Sequence, residues 1–342
     1  MSRWTRATCW SFRRGTEESR QGNRQLMFWW PGPGSPRRGW TWILLSVGLC
    51  YYDIMKIRLF AFDLDGTLVD RAGGISAENL RAVAQARASG AEVIIVTGRS
   101  WRSTLPYYRA LQMTGPAICY LGALVVADGT GRVTDHLPLA PEAWNPLRRL
   151  ALAEGLSITA AFAVPGDRPG RVHGPGDETA FRSAEQSCAS DVAYATGRAE
   201  DFRGWADWNP YTEIDPSLER CIAQPTMAAV YGDWSVGRVM AAFPHGLPRA
   251  QFDLSDRIQG ETVLHVWHES VDKGSALARY CRQRSIPPDA VMALGDAAMD
   301  VSMLRFAGIG VAVPGSHPAA IAAADWVASP AEAVARALGS RG

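Results

Sequence analysis

Residues 58–70 read RLFAFDLDGTLVD. The apolar run 59–62 leads directly into Asp63-Leu64-Asp65-Gly66-Thr67. Strand-forming residues followed by a glycine turn predict that both carboxylates sit at or just past the C-terminal end of a buried strand. In open α/β sheets that end is where ligands bind. Side chains two apart on an extended chain point to one side. Asp63 and Asp65 are therefore expected to face one small volume, with Leu64 turned away into packing. Two carboxylates held together repel unless a proton or a cation separates them. An oxygen-seeking divalent ion such as Mg2+ suits such a pair. The pair alone fits a strand-to-turn junction with an Asx turn equally well, so the rest of the chain has to decide.

The full string is more specific than the pair. DLDGT after an apolar strand resembles the first motif of the haloacid dehalogenase superfamily, most of whose members are phosphatases. The resemblance implies that Asp63 is the nucleophile that takes a phosphoryl group and that Asp65 is the acid/base. The residue types suit that chemistry. A carboxylate can form an aspartyl-phosphate and split hydrolysis into two easier steps. A second carboxyl can protonate the leaving alkoxide and then activate water.

Ser76 is expected to cap a helix over 76–90 (SAENLRAVAQARASG), with Gly90 as its stop. Residues 91–96 (AEVIIV) form the next buried strand, which makes one right-handed βαβ unit. Thr97-Gly98-Arg99 follows. Taken alone, a Thr before a Gly is commonly a turn or cap residue. One βα unit after DLDGT, VTGR resembles the superfamily's second motif, which implies that Thr97 and Gly98 bind phosphate. Arg99 reads either as a substrate contact or as a solvated helix start. Residues 100–112 read as a helix and 116–121 (PAICYL) as a third strand, followed by Gly122-Ala123. Cof-like members of the superfamily usually have Asn-Gly-Ala here, and this chain has Leu121 in place of that Asn. Residues 124–133 read as a β-hairpin turning at Asp128-Gly129.

From about 138 to 259 the pattern changes. A helix (142–153) and an apolar strand (158–164) precede a Gly/Pro-rich loop, PGDRPGRVHGPGD. Strand-like pieces follow at 221–231 and 262–267, with a helix at 236–243. Asp63 and Lys273 are 210 positions apart. That separation resembles the Cof-like subgroup, whose large α/β cap closes over the site and chooses the substrate. Arg171, His173, Trp205, Trp208 and Tyr211 are candidate cap contacts, each read more readily as an ordinary surface or packing residue. His265 and His268 stand three apart on a strand and point to opposite faces. They read as core or surface histidines rather than metal ligands.

Lys273 opens a helix. A lysine beside anionic groups neutralises nucleophile and phosphate alike, whereas a helix-start lysine is more often simply solvated. KGSAL resembles the Cof-like third motif, which implies a phosphate-binding Lys273 with Asp272 as a weak accessory. Residues 290–294 (AVMAL) are a further buried strand, followed by GDAAMD at 295–300. Carboxylates four apart share a face if the turn is helical. This string resembles the fourth motif, usually GDxxND. It implies that Asp296 ligates a metal, with Asp300 as ligand or support, and Met299 stands where the Asn is usual. Residues 309–313 read as a strand, and Ala323-Ala324-Asp325-Trp326-Val327 resembles the family's terminal strand.

The four motifs stand in order across about 57–335. Together they imply an α/β protein with a doubly wound, mostly parallel, Rossmann-like core over 55–137 and 260–342. An α/β cap over 138–259 is inserted into it. They imply Mg2+ held by Asp63, the backbone carbonyl of Asp65, Asp296 and Asp300. The implied reaction is hydrolysis of a small phosphomonoester, a sugar phosphate or similar metabolite, through an aspartyl-phosphate. A mutase or phosphotransferase of the same superfamily and a non-catalytic phospho-ligand-binding protein are the alternatives.

Composition sets the outer bounds. A chain of 342 residues is long enough for two domains. A hydrophobic content of 47% with 20% charged residues is that of a globular protein, not a disordered one. The net charge of +1 hides an asymmetry: residues 1–54 carry eight Arg against Glu17, Glu18 and Asp53. The remaining body is mildly acidic, which argues against a nucleic-acid partner. The six cysteines (Cys9, Cys50, Cys119, Cys188, Cys221 and Cys281) show no CxxC pairing. Isolated thiols suit a reducing compartment, hence the cytoplasm. Residues 1–54 mix Arg, Gly, Pro and Trp without periodicity and read as a disordered or non-native extension. Their apolar run at 40–52 is too short to span a bilayer comfortably. Met55, directly before the first strand, reads as a natural start, with a membrane-surface anchor or signal as the alternative for 1–54.

Overall fold

β1 (Leu59–Phe62) is buried along its whole length. Its alternate residues enter opposite cores. Phe60 and Phe62 pack with Ile95 and Leu294, whereas Leu59 and Ala61 pack with Ile94 and Ala293. A strand covered on both faces needs an unbroken apolar run, and LFAF supplies it. Each fully buried Phe contributes about 2–3 kcal/mol through the area it removes from water. The structure, a computed structural model, describes residues 57–162, 192–195, 212–214, 224–256 and 262–339. The expected extension over 1–54 lies outside them, as does the Gly/Pro-rich loop.

After β1 come α1 (Ala77–Ala88), β2 (Glu92–Val96), α2 (Trp101–Ala110), β3 (Ala117–Cys119), β4 (Leu124–Val126) and β5 (Val133–His136). An inserted segment holds α3 (Pro141–Glu154), β6 (Ile158–Phe162), β7 (Val192–Ala195), β8 (Thr212–Ile214), β9 (Met227–Gly232), α4 (Val236–Ala242), β10 (Ala250–Asp256) and β11 (Thr262–His268). Next are α5 (Lys273–Gln283), β12 (Val291–Gly295), α6 (Val301–Phe306), β13 (Ile309–Ala312), α7 (Pro318–Ala323), β14 (Trp326–Val327) and α8 (Pro330–Ala337). The caps are those the sequence signals. Ser76 Oγ accepts from Asn79 N at 3.1 Å to start α1. Asp272 Oδ1 accepts from Ser275 N at 2.8 Å to start α5. The residue expected as an accessory at the site is therefore a helix cap.

The first sheet has the order β14-β13-β12-β1-β2-β3-β4-β5. It is parallel from β14 through β3 and antiparallel across the edge hairpin. This is the doubly wound, mostly parallel α/β sheet. β1 lies between β12 and β2, so the loops leaving these three strands open on one edge at the switch in strand order. The strand expected over 116–121 stops at Cys119. Tyr120 and Leu121 then adopt φ of 49° and 59° and turn the chain.

The inserted strands form a second sheet in the order β10-β11-β9-β6-β7-β8, antiparallel except for β7 with β8. Leu147 of α3 and Val239 of α4 share a core with Ile158, Val230 and Leu264. The expected boundary at 259/260 is corrected here. β11 pairs with β9 and β10, so it belongs to the inserted sheet. An apolar string such as TVLHVW carries no mark of the sheet it joins, and distant pairing partners decide. Among the described residues, no helix is long and apolar enough to cross a membrane.

Candidate active site

The loop leaving β1 coils around one carbonyl. Leu64 O accepts from the amides of Thr67, Leu68 and Val69 at 3.1, 2.9 and 2.8 Å, and its side chain is fully buried. Gly66 makes the coil passable at φ 79°, and a Cβ there would meet Asp296 Oδ2 at 2.2 Å. β1 ends at Phe62, one residue before the first carboxylate. Asp63 is buried, whereas the Asp65 side chain is 48% exposed.

Lys273 sits at the start of α5. Its Nζ donates to Asp63 Oδ1 at 2.6 Å and to Asp300 Oδ1 at 2.5 Å, and all three side chains are buried. The other Asp300 oxygen accepts from the amides of Asp296 and Ala297 at 3.0 and 2.8 Å, which fixes the loop after β12. Asp63, Asp296 and Asp300 each bring a carboxylate oxygen within 4.8 Å of the others. Burial pushes the Asp63 carboxyl up to about 8, with Lys273 opposing and Asp300 adding to the rise. Burial and the neighbouring Asp300 also raise Asp296. Burial works against the Lys273 ammonium, but its two carboxylate partners outweigh that and hold its pKa above the ordinary value.

Three carboxylates against one ammonium leave an excess of two negative charges when all are ionised. Asp296 Oδ1 is buried with no hydrogen-bond partner among the described residues. An all-oxygen donor set with an orphaned carboxylate oxygen fits a hard divalent cation such as Mg2+. The Asp65 carboxylate stands outside the trio, so its expected metal contact rests on its backbone carbonyl.

Thr97 follows β2, directly beside β1, and is fully buried. Its Oγ1 accepts from Arg99 N at 3.2 Å. Arg99 reaches back to the β1 loop, where Nε and Nη2 donate to Asp65 Oδ2 and Oδ1 at 2.7 and 2.6 Å. That planar fork matches a carboxylate. The guanidinium carbon lies 4.7 Å from the ring centre of Tyr107. Arg99 is thus a partner of Asp65 rather than a solvated helix start. A Cβ on Gly98 would meet Leu121 Cδ2 at 3.1 Å and Met299 Sδ at 4.0 Å. The two residues that stand where Asn is usual therefore converge on one spot.

His268 Nδ1 accepts from Ser270 N at 3.1 Å and closes a turn. Neither His265 nor His268 joins the carboxylate trio. The candidate cap contacts Arg171, His173, Trp205, Trp208 and Tyr211 lie outside the described residues. Two neighbours of the site went unanticipated. Tyr107, beneath Arg99, reads in sequence as any helix aromatic. Trp267 is brought beside Lys273 only by the pairing of β11.

Residues 60–162 and 250–338 match the model of the haloacid dehalogenase-like hydrolases. Pyridoxal phosphate phosphatase YbhA of Escherichia coli is 26% identical over 283 residues, which is 80% of this chain and 93% of the relative. Phosphatase YwpJ of Bacillus subtilis is 26% identical over 260 residues, or 75% and 89% of the two chains. The structure of BT1666 from Bacteroides thetaiotaomicron superposes with a TM-score of 0.64 at 18% identity, covering 86% of this chain and 97% of that one. Fold and relatives together define the class as a phosphoric monoester hydrolase. The chain belongs to the haloacid dehalogenase-like hydrolase family, in its Cof-like group.

Proposed function

We propose that the protein is a Mg2+-dependent cytoplasmic phosphatase that hydrolyses a small phosphomonoester through a phosphorylated Asp63. The observation that carries this reading is the Lys273 ammonium bridging Asp63 and Asp300 beside the unpartnered Asp296 oxygen. With Oδ1 held by Lys273, Asp63 attacks phosphorus through Oδ2. The new Asp63 O–P bond forms as the ester P–O bond breaks, and Asp65 gives its proton to the leaving oxygen. Asp65 then takes a proton from water, whose oxygen bonds to phosphorus as the Asp63 O–P bond breaks. The fork of Arg99 holds both Asp65 oxygens, so each transfer needs one of them released from the guanidinium. Thr97, the amide of Gly98 and Lys273 hold the phosphoryl oxygens, where positioning and charge stabilisation do most of the catalysis. Asp63, the carbonyl of residue 65 and Asp296 would hold Mg2+, with Asp300 behind them; the ion would neutralise charge on the transferring group.

The substrate is a small phosphorylated metabolite. The cap type suggests sugar phosphates, and the Escherichia coli relative is named for pyridoxal phosphate. The test is phosphate release from a panel spanning both, with and without Mg2+, and with Asp63→Asn in parallel. Release is expected to need Mg2+ and to fall by at least about 10³-fold in the variant. Release that survives Asp63→Asn would overturn the assignment. Transfer to a second sugar instead of water would point to a mutase.

A further inference from the structure

Residues 120–122 make a turn that side chains other than glycine rarely adopt. Tyr120, Leu121 and Gly122 have φ of 49°, 59° and 113°, positive values in a row. A glycine takes such angles at no steric cost, whereas a tyrosine and a leucine are strained there. This same turn holds the loop after β2. Tyr120 N donates to Arg99 O at 2.9 Å, and Leu121 N donates to Thr97 O at 3.1 Å. The Leu121 side chain closes over Gly98, where a Cβ would meet its Cδ2 at 3.1 Å. Residues 97–99 are thus gripped by two backbone bonds and one side chain. A strained turn keeps such a grip only while its surroundings fix it. Burial of Tyr120 and Leu121 fixes one side.

Arg279 fixes the other. It stands on α5, further along the helix than Lys273. Its Nη2 donates to Gly122 O at 3.1 Å, and its Nε donates to Asp135 Oδ2 at 3.1 Å. Gly122 is buried, and a Cβ there would meet Asp272 O at 2.6 Å and Ala276 Cβ at 2.8 Å, so the turn lies directly on the start of α5. Asp135 belongs to β5, the strand that leads into the inserted segment. Leu137 N donates to Ala123 O at 2.7 Å beside the same turn. One guanidinium therefore joins the helix that carries Lys273, the strained turn and the strand leaving for the inserted sheet. The ion pair is partly exposed, 27% for Arg279 and 31% for Asp135, and adds little to folding stability. Its geometry matters more, because a planar fork holds a carboxylate and a carbonyl in fixed relation and an ammonium does not.

We propose that Arg279 is a positioning residue for phosphate binding. Through Gly122 it holds the strained turn, and through the turn it keeps Thr97 and Gly98 in place for the phosphoryl oxygens. Asp135 ties the same guanidinium to the passage into the inserted sheet, so that passage and the phosphate loop are coupled. The proposal rests on the phosphatase reading and adds to it a residue outside the carboxylate–lysine cluster.

The test reads phosphate affinity apart from turnover. kcat, KM and the Ki of inorganic phosphate are measured in Mg2+ with the ester that wild type hydrolyses fastest. Arg279→Ala is expected to raise KM and Ki together by about tenfold and to leave kcat within about threefold. Arg279→Lys keeps the charge but not the fork, and its Ki should fall between the two. Asp135→Asn leaves the bond to Gly122 in place and should raise Ki by about two- to threefold; combined with Arg279→Ala it should add nothing further. An unchanged Ki in Arg279→Ala, even with a lower melting temperature, or a loss confined to kcat, would overturn the positioning role. Full additivity of the two substitutions would overturn the link through Asp135. Should Arg279→Ala fail to fold, Arg279→Lys carries the same comparison. Absence of hydrolysis with every ester would sink the phosphatase reading instead. Calorimetric titration with inorganic phosphate in Mg2+ then decides the proposal: weaker binding by Arg279→Lys than by wild type sustains it, and equal binding overturns it.

Discussion

Gly66 shows how much of the site depends on a missing side chain. Its φ of 79° lies in the left-handed region, and the Asp296 carboxylate fills the space that a Cβ would take. Gly66→Ala adds backbone strain of about 1–2 kcal/mol and displaces the orphaned carboxylate. The variant is expected to fold with a lower melting temperature and to lose most of the rise in Tm that Mg2+ gives wild type, read by scanning fluorimetry. An undiminished Mg2+ response would contradict the placement of Asp296. Leu121 is the opposite case. At φ 59° it carries strain that a Gly or Asn would avoid, offset by burial of its side chain to 5% exposure. Gly66 was legible in the sequence because DGT announces a turn. Leu121 was not, because YLG has no small or amide residue at its two strained positions.

At the scale of elements, the passage between the two sheets is the informative place. His136 ends β5, and its Nε2 lies 2.9 Å from Thr226 Oγ1, just before β9. Leu139 N donates to Pro225 O at 2.8 Å across the same passage. Burial lowers the His136 pKa from 6.5 to about 4, with Asp135 pulling the other way. Between those values the unfolded chain binds the proton more than the folded one does. The stability this group contributes is therefore full above about pH 6.5 and drains away as pH falls toward 4. By pH 5 the loss is on the order of 2 kcal/mol. His136→Gln should show a smaller drop in urea-unfolding free energy between pH 7.5 and 5.0 than wild type. Equal drops would contradict a half-buried His136 that is neutral in the folded chain. Most elements could be read from periodicity and caps, as for α1 behind Ser76. β11 lies past the boundary expected at 259/260 yet pairs with β9 and β10, because its apolar string does not say which strand lies beside it.

For the whole molecule, the strand order does the assembling. With β1 between β12 and β2, three loops far apart in sequence open on one edge, and Lys273 reaches the same point from α5. The motif order made that convergence legible in the sequence, since the first, second and fourth motifs each follow an apolar strand. The Asp65–Arg99 fork was not legible. It depends on where two side chains meet after the sheet has formed, and no local pattern records that. The most direct measurement is mass spectrometry of a single turnover, quenched in acid and reduced with borohydride to mark any acyl phosphate. The marked peptide should contain Asp63, and the mark should be absent in Asp63→Asn. Turnover that leaves Asp63 unmarked, or that marks another residue, would contradict a nucleophilic Asp63.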